Sequence, residues 1–381
     1  MVPPAARRTS RPADGTAGRQ AGPLRGGSVH PMDDRAIRAL PKVLLHEHLD
    51  GGIRPGTVVE LADAIGYDGL PTTDPDRLAR WFTDAARVGG LPAYLATFEH
   101  TIAVLQTVDA LERVAYEAGA DLAADGVVHA EVRFAPELNT RRGLTIDEVL
   151  EAALAGLARA SRTHAIGLGL IVDGMRNGPH TTDAAAAAVR WADRGVVGFD
   201  IAGPEAGFPP SLHREAFDLA RAGGLGITIH AGESYGPASI AQAVRECRAD
   251  RIGHGVRIVD DIDDDGGLGP VAAEIRDRSI PLEVCPTSNI DTGAFASLAD
   301  HPVDRLARLG FVVTLNCDNR LMSGTSPTFE MAAMRDTFGW GREDFRRVTL
   351  AAAGGLFVDG EVRRDLVDRR IAPGFEAVLD G

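Results

Sequence analysis

The chain has 381 residues, 44 % hydrophobic and 25 % charged, with a formal net charge of −14. That composition is ordinary for a soluble globular protein and long enough to bury a large core. The acidic balance argues against nucleic acid or an anionic membrane as a partner, and no run approaches the roughly 18 apolar residues of a membrane-spanning helix. Three widely spaced cysteines, Cys247, Cys285 and Cys317, form neither a disulfide framework nor a CxxC pair. They fit a reducing, cytoplasmic setting. Cys317 neighbours a candidate ligand, but strand alternation points it to the opposite face, as packing.

Residues 1–31 are rich in Pro, Gly, Ala and Arg, with five Arg against one Asp. Such a segment cannot bury enough apolar surface to offset its ordering entropy, so it is expected to be a disordered tail without a role in catalysis. It lacks the apolar core of a secretory signal. An alternative is that translation starts at Met32.

From Pro41 onward, β-rich apolar runs alternate with Ala-rich amphipathic stretches. Candidate strands are 43–46, 127–134, 166–172, 196–201, 227–230, 251–254, 282–285 and 312–316. Candidate helices between them are 111–125, 146–164, 183–193, 214–223, 239–248, 270–278 and 302–309. Strand–helix alternation implies parallel pairing through crossover helices, and eight such units imply a closed (β/α)8 TIM-type barrel spanning 32–381. About 80 residues separate the first two strands. A connection that long on the active-site face of a barrel is a natural helical lid.

Four short blocks share a chemical type. His46 and His48 stand in "LLHEHLDGG", His230 and Glu233 in "ITIHAGES", His254 in "RIGHGV" and Asp318 in "VTLNCDNR". Each block falls at the end of a candidate strand, the edge where barrel enzymes place their chemistry. An H-x-H pair is a weak signal alone, although residues i and i+2 of a strand share a face, roughly 7 Å apart, and can converge on one ion. Glu233, reached from His230 through Ala231 and Gly232, suits a general acid/base or a helix cap. His254 sits between two glycines, either as a functional group or in a turn. Asp318 is either an anionic ligand or a helix N-cap. Together, three histidines and a carboxylate are the ligand types of a catalytic divalent-metal site with an open position. Its logic is activation of water, with an acid to protonate the substrate.

The motifs "PKVLLHEHLDGGIRP", "VGFDIAGPEAG", "TIHAGES", "RIGHGVR", "LEVCPTSN" and "TLNCDNRLMS" resemble, in order and over about residues 40–340, those of adenosine deaminases of the amidohydrolase superfamily, with a bacterial, actinomycete-like texture. The resemblance implies hydrolytic deamination of adenosine and 2′-deoxyadenosine to inosine and 2′-deoxyinosine, with one zinc ion per chain. It implies His46, His48, His230 and Asp318 as zinc ligands, Glu233 as the acid for purine N1, and His254 as the group that positions the attacking water at C6. It further implies Gly203 facing N3 and Asp50 facing the ribose hydroxyls. "LPAYLATF" looks like the helix that closes over the nucleoside. Leu91, Tyr94, Leu95 and Phe98 share one helical face there, although the same spacing serves a helix merely packed on the barrel. Met175 is expected to line the same pocket.

One position departs from the common pattern: Asn319 stands where many members carry a second aspartate. It is expected to face purine N7. N7 is only an acceptor, and an amide can donate where an ionised carboxylate cannot. The alternative substrates are other amino-purines, adenine or aminodeoxyfutalosine, but Asp50–Gly51 and the "LDG" triplet favour a nucleoside. Two-metal hydrolases of this fold use a carboxylated lysine, and the only lysine, Lys42, starts the first strand. A non-enzymatic relative would be expected to have lost Glu233 or a ligand, and none is lost. Oligomeric state is not legible.

Overall fold

The computed structural model describes residues 32–378. The expected disordered tail, 1–31, lies outside the described residues.

Eight parallel strands follow one another around a barrel in chain order: β1 (Lys42–His48), β2 (Val127–Phe134), β3 (Gly167–Met175), β4 (Val196–Ala202), β5 (Gly226–Ala231), β6 (Arg251–His254), β7 (Leu282–Val284) and β8 (Val313–Leu315). Every residue of β1, β2 and β6 is buried. Strands covered on both faces read as near-continuous β-branched runs for that reason. The crossover helices Ile146–Thr163, Thr181–Arg190, Arg214–Ala222, Pro237–Arg245, Pro270–Asp277 and Val303–Arg308 lie within a few residues of the sequence expectation. The first is stopped at its start by a capping box, Thr145 with Glu148.

The barrel closes between β1 and β8 through a narrow seam. His48 N donates to Asp318 O at 2.7 Å and Asp318 N to His46 O at 3.1 Å. Below them the Asn316 side-chain carbonyl accepts from Leu45 N and His46 N. β7 and β8 are each shorter than the sequence suggested. Pro286 begins a helix, Pro286–Asp291, directly after Cys285, and Asn316, just past β8, still donates its backbone N–H to Val284 O while its side-chain carbonyl joins the seam to β1. β3 and β4 run further than expected, carrying Asp173, Met175 and Ala202 to the barrel's upper edge.

The long connection after β1 holds five helices, Pro55–Ile65, Pro75–Ala86, Gly90–Ala96, Phe98–Val104 and Val108–Ala124. The expected single lid helix over "LPAYLATF" is therefore two. The break falls at Thr97, whose hydroxyl donates to Tyr94 O at 2.6 Å and takes a carbonyl that the helix would otherwise use. After β8, helices Pro327–Phe338, Arg342–Gly355, Gly360–Leu366 and Ala372–Ala377 complete the wall. Arg342–Gly355 packs beside β1 and β8. Among the described residues no helix is long and apolar enough to cross a membrane.

Candidate active site and metal centre

The upper ends of the strands surround a cavity of about 230 Å³. All but one of the singled-out residues line it: His48, Asp50, Leu91, Tyr94, Leu95, Phe98, Met175, Gly203, His230, Glu233, His254, Asp318 and Asn319. His46 lies just behind, wholly buried, with its ring 4.5 Å from that of His230 and 4.7 Å from that of His254. One wall is apolar and comes largely from the lid. Tyr94 is fixed there by its hydroxyl, 3.1 Å from Ser323 Oγ.

His46, His48, His230 and Asp318 each offer one donor atom, and the four lie within 4.8 Å of one another. His48 Nε2 is 3.3 Å from His230 Nε2, and Asp318 Oδ1 is 3.3 Å from both His46 Nε2 and His48 Nε2. Four ligands arranged tetrahedrally at the usual zinc–nitrogen length of about 2.0–2.1 Å stand about 3.3–3.4 Å apart. His46 Nε2 is buried and has no hydrogen-bond partner among the described residues despite that near oxygen. The donor set fits a divalent cation of the zinc type.

Each ring is oriented from behind, as ligating histidines commonly are. His46 Nδ1 is 3.1 Å from Glu283 Oε2, and His230 Nδ1 is 2.7 Å from Asp200 Oδ2. His48 Nδ1 stands at a looser 3.6 Å from Asp173 Oδ2. Burial pulls His46 down to about 4. Burial also works against the proton on His230, but the Asp200 carboxylate outweighs it and pushes His230 up to about 9. Asp318, though buried, is held well below the usual carboxylate range by the His46 imidazole beside it, with His254 and His48 adding to the effect. A cation placed among these atoms would take the place of the proton on His230.

Glu233 and His254 flank this group, with His254 Nε2 3.8 Å from Glu233 Oε2. The Asn289 amide nitrogen faces His254 Nδ1 at 3.1 Å, while the Asn289 oxygen faces His301 Nε2 at 3.2 Å. With the Asn289 amide donating, Nδ1 is the acceptor and Nε2–H points at the cavity. Burial raises the pKa of Glu233, which favours its acid form. Glu233 caps no helix: the following helix begins at Pro237 after Gly236. Its loop is instead shaped by Glu205, which accepts from the backbone N–H groups of Gly232, Glu233, Ser234 and Tyr235. Gly232, at φ +74, makes the turn that a side chain would strain.

Asp318 caps no helix either. Its Oδ2 accepts from Ser288 Oγ at 2.6 Å, and its backbone sits at φ +62, as His254 sits at φ +59. Such left-handed conformations in residues with a side chain concentrate at functional sites. Asn319 lies against Gly51, where a Cβ would come within 1.9 Å of Asn319 Oδ1. The "LDGG" turn therefore needs glycine to admit this amide. Asp50 is pushed up to about 7 by burial.

Sequence reasoning missed the supporting layer: Glu283, Asp200, Asp173, Arg133, Glu205, Ser288 and Asn289. The available signal was a charged residue inside an otherwise apolar strand, as in "EVRF", "GFDIAG" and "LEV".

The chain is similar to known proteins over most of its length. An adenosine deaminase from Mycobacterium ulcerans is 53 % identical over 91 % of this chain and 98 % of its own length. One from Mycobacterium leprae is 51 % identical over 92 % and 99 %. Among solved structures, an amidohydrolase from Burkholderia ambifaria with bound zinc superposes with a TM-score of 0.78 at 27 % identity, covering 94 % of this chain and 96 % of that one. An Arabidopsis N6-mAMP deaminase gives 0.77 at 25 % identity, covering 90 % and 99 %. An adenine deaminase from Arthrobacter aurescens gives 0.79 at 24 % identity, covering 89 % and 99 %, a likeness of fold alone. The family model described as adenosine deaminase matches residues 41–373, and the chain belongs to the adenosine deaminase family.

Proposed function

We propose that this chain hydrolyses the exocyclic C–N bond of adenosine and 2′-deoxyadenosine, giving inosine or 2′-deoxyinosine and ammonia. The observation that carries this reading is the convergence of Glu233, His254 and the His₃Asp group on one cavity with an apolar wall. His46, His48, His230 and Asp318 would hold a zinc ion, which would supply a water of pKa about 7 and so a nucleophile at neutral pH.

The remaining roles belong to the protein. His254, presenting Nε2–H, holds the attacking oxygen over C6 and stabilises the charge that develops there. Glu233 donates its proton to N1 as the new C6–O bond forms. Its carboxylate then takes the proton of the added hydroxyl and passes it to the amino group, which leaves as ammonia when the C6–N bond breaks, and the proton that water released on becoming the nucleophile restores the Glu233 acid. Asn319 donates its amide N–H to N7, and the backbone N–H of Gly203 faces N3. Asp50 accepts from the sugar hydroxyls. Leu91, Tyr94, Leu95, Phe98 and Met175 enclose the purine and sugar and exclude water.

Among the described residues no Lys or Arg lines the cavity, whereas Asp50 and Asp173 do. A 5′-phosphate would find no basic side chain of the described residues there to neutralise it, which favours a nucleoside over a nucleotide. The test is metal analysis of the purified protein, with ultraviolet assays on adenosine, 2′-deoxyadenosine, adenine and AMP. Zinc near one per chain and turnover of the two nucleosides far above adenine and AMP are expected. Preferential turnover of adenine or AMP overturns the substrate assignment, and activity undiminished by zinc removal overturns the metal role.

A further inference from the structure

The carboxylates behind two of the metal-site histidines are themselves held by a single side chain. Asp200 Oδ2, 2.7 Å from His230 Nδ1, is 2.6 Å from Arg133 Nη1. Glu283 Oε2, 3.1 Å from His46 Nδ1, is 2.8 Å from Arg133 Nη2. Nη2 also donates to the carbonyl of Leu45, the residue before His46. Arg133 projects from β2 into the barrel, wholly buried, and its fork reaches β1, β4 and β7 at once. The oxygens it grips are the same two atoms that face the imidazoles.

We propose that Arg133 is a positioning residue for the metal centre: its guanidinium sets the spacing of Asp200 Oδ2 and Glu283 Oε2, and through them the orientation of His230 and His46. This rests on reading His46, His48, His230 and Asp318 as a metal site. A buried carboxylate can turn among several acceptor directions, and two of them near each other repel. A rigid planar fork with two nitrogens at fixed separation removes both freedoms. A lysine ammonium keeps the charge but is a point donor on a flexible stem and cannot reproduce that spacing. His48 is the contrast, since Asp173 stands loosely behind it and neither Asp173 oxygen has a hydrogen-bond partner among the described residues.

The experiment measures zinc affinity by competition with a chromophoric chelator, together with the absorption bands of the cobalt-substituted protein. It compares the wild type, Arg133→Lys, Arg133→Gln as a second variant should the first fail to fold, and Lys42→Met. The last removes another buried cation, at the opposite end of the barrel. Either folded Arg133 variant is expected to bind zinc about 10–100-fold more weakly, with altered cobalt bands. Lys42→Met, although less stable, is expected to bind like the wild type. A folded Arg133 variant whose affinity stays within about twofold of the wild type, with unchanged cobalt bands, overturns the proposal. An equal loss in Lys42→Met also overturns it, because affinity would then follow global stability. A wild-type protein that takes up no zinc refutes the metal site itself, a result distinct from either.

Discussion

The two ends of the barrel handle buried charge in opposite ways. At the lower end, where the strands begin, charge is spent inside the protein. Lys42 Nζ donates to the carbonyls of Ile37, Arg38, Leu40 and Asp125 at 2.9–3.1 Å, closing the ends of two helices with one ammonium. Arg251 pairs with Glu283 and Glu131, donates to Gly355 O and lies over the ring of Phe357. At the upper end, His46 Nε2, Asp50 Oδ1, both Asp173 oxygens and Asn319 Oδ1 are buried without a hydrogen-bond partner among the described residues. Unsatisfied buried polar atoms cost stability; Arg251 Nη2 is one at the lower end, but the five at the upper end gather around one cavity, where a bound group can satisfy them together. The lower end is built for stability and the upper end is left open for ligands.

If that contrast is right, changes at the upper end alter turnover and leave the fold standing, while changes at the lower end do the reverse. Glu233→Gln carries the largest expected effect. With the proton donor gone and the ligands intact, kcat falls by about 10²–10⁴-fold with zinc content unchanged, checked by steady-state kinetics and metal analysis. Burial raises the pKa of Glu233, so the acid form persists towards neutral pH. Wild-type turnover should therefore decline as pH rises through that pKa, and the variant should lose this limb. Near-native rates for Glu233→Gln would remove it as the donor.

Lys42→Met comes next, on stability. It leaves four helix-end carbonyls without their shared donor, an expected loss of about 3 kcal/mol by denaturant unfolding, with kcat per folded molecule unchanged. A large fall in kcat at full folding would break the division between the two ends. Asn319→Ala should raise KM about tenfold while zinc content stays level. A zinc-depleted protein would place Asn319 behind Asp318 and not against the purine.

The smallest effect concerns Glu330, which faces neither end's machinery. Burial pushes it up to about 7, and it meets Thr325 Oγ1 at 2.6 Å. A carboxyl whose folded pKa is raised binds its proton more tightly in the fold. Its contribution is therefore full below the unfolded pKa of about 4.5 and is lost as pH rises through about 7. Glu330→Gln should flatten that decline by about 1 kcal/mol per pH unit, read from urea midpoints between pH 5 and about 7. Identical slopes in the two proteins would remove Glu330 as the cause.

What could be read from the chain was what is written locally. β-branched runs ending in His46, His48, His230, His254 and Asp318 mark strand ends because a strand's period and its terminal turn depend on adjacent residues. The alternation of runs and Ala-rich stretches marks the barrel for the same reason. The divided lid helix escaped because Thr97 competes for the Tyr94 carbonyl through its hydroxyl, a choice that propensity and spacing do not register. The helices after β8 were not marked out either.

The support for the site was settled only in three dimensions. Glu283 and Asp200 are single charges in the apolar strands β7 and β4, and Arg133 shares β2 with Glu131; they are separated by as many as 150 residues. Nothing near any of them says which imidazole it will face. Barrel closure and strand register bring the three together, and low-dielectric burial then makes their pairing obligatory. The identities of the proposed metal ligands are local text, whereas the angles at which they meet are a property of the closed barrel.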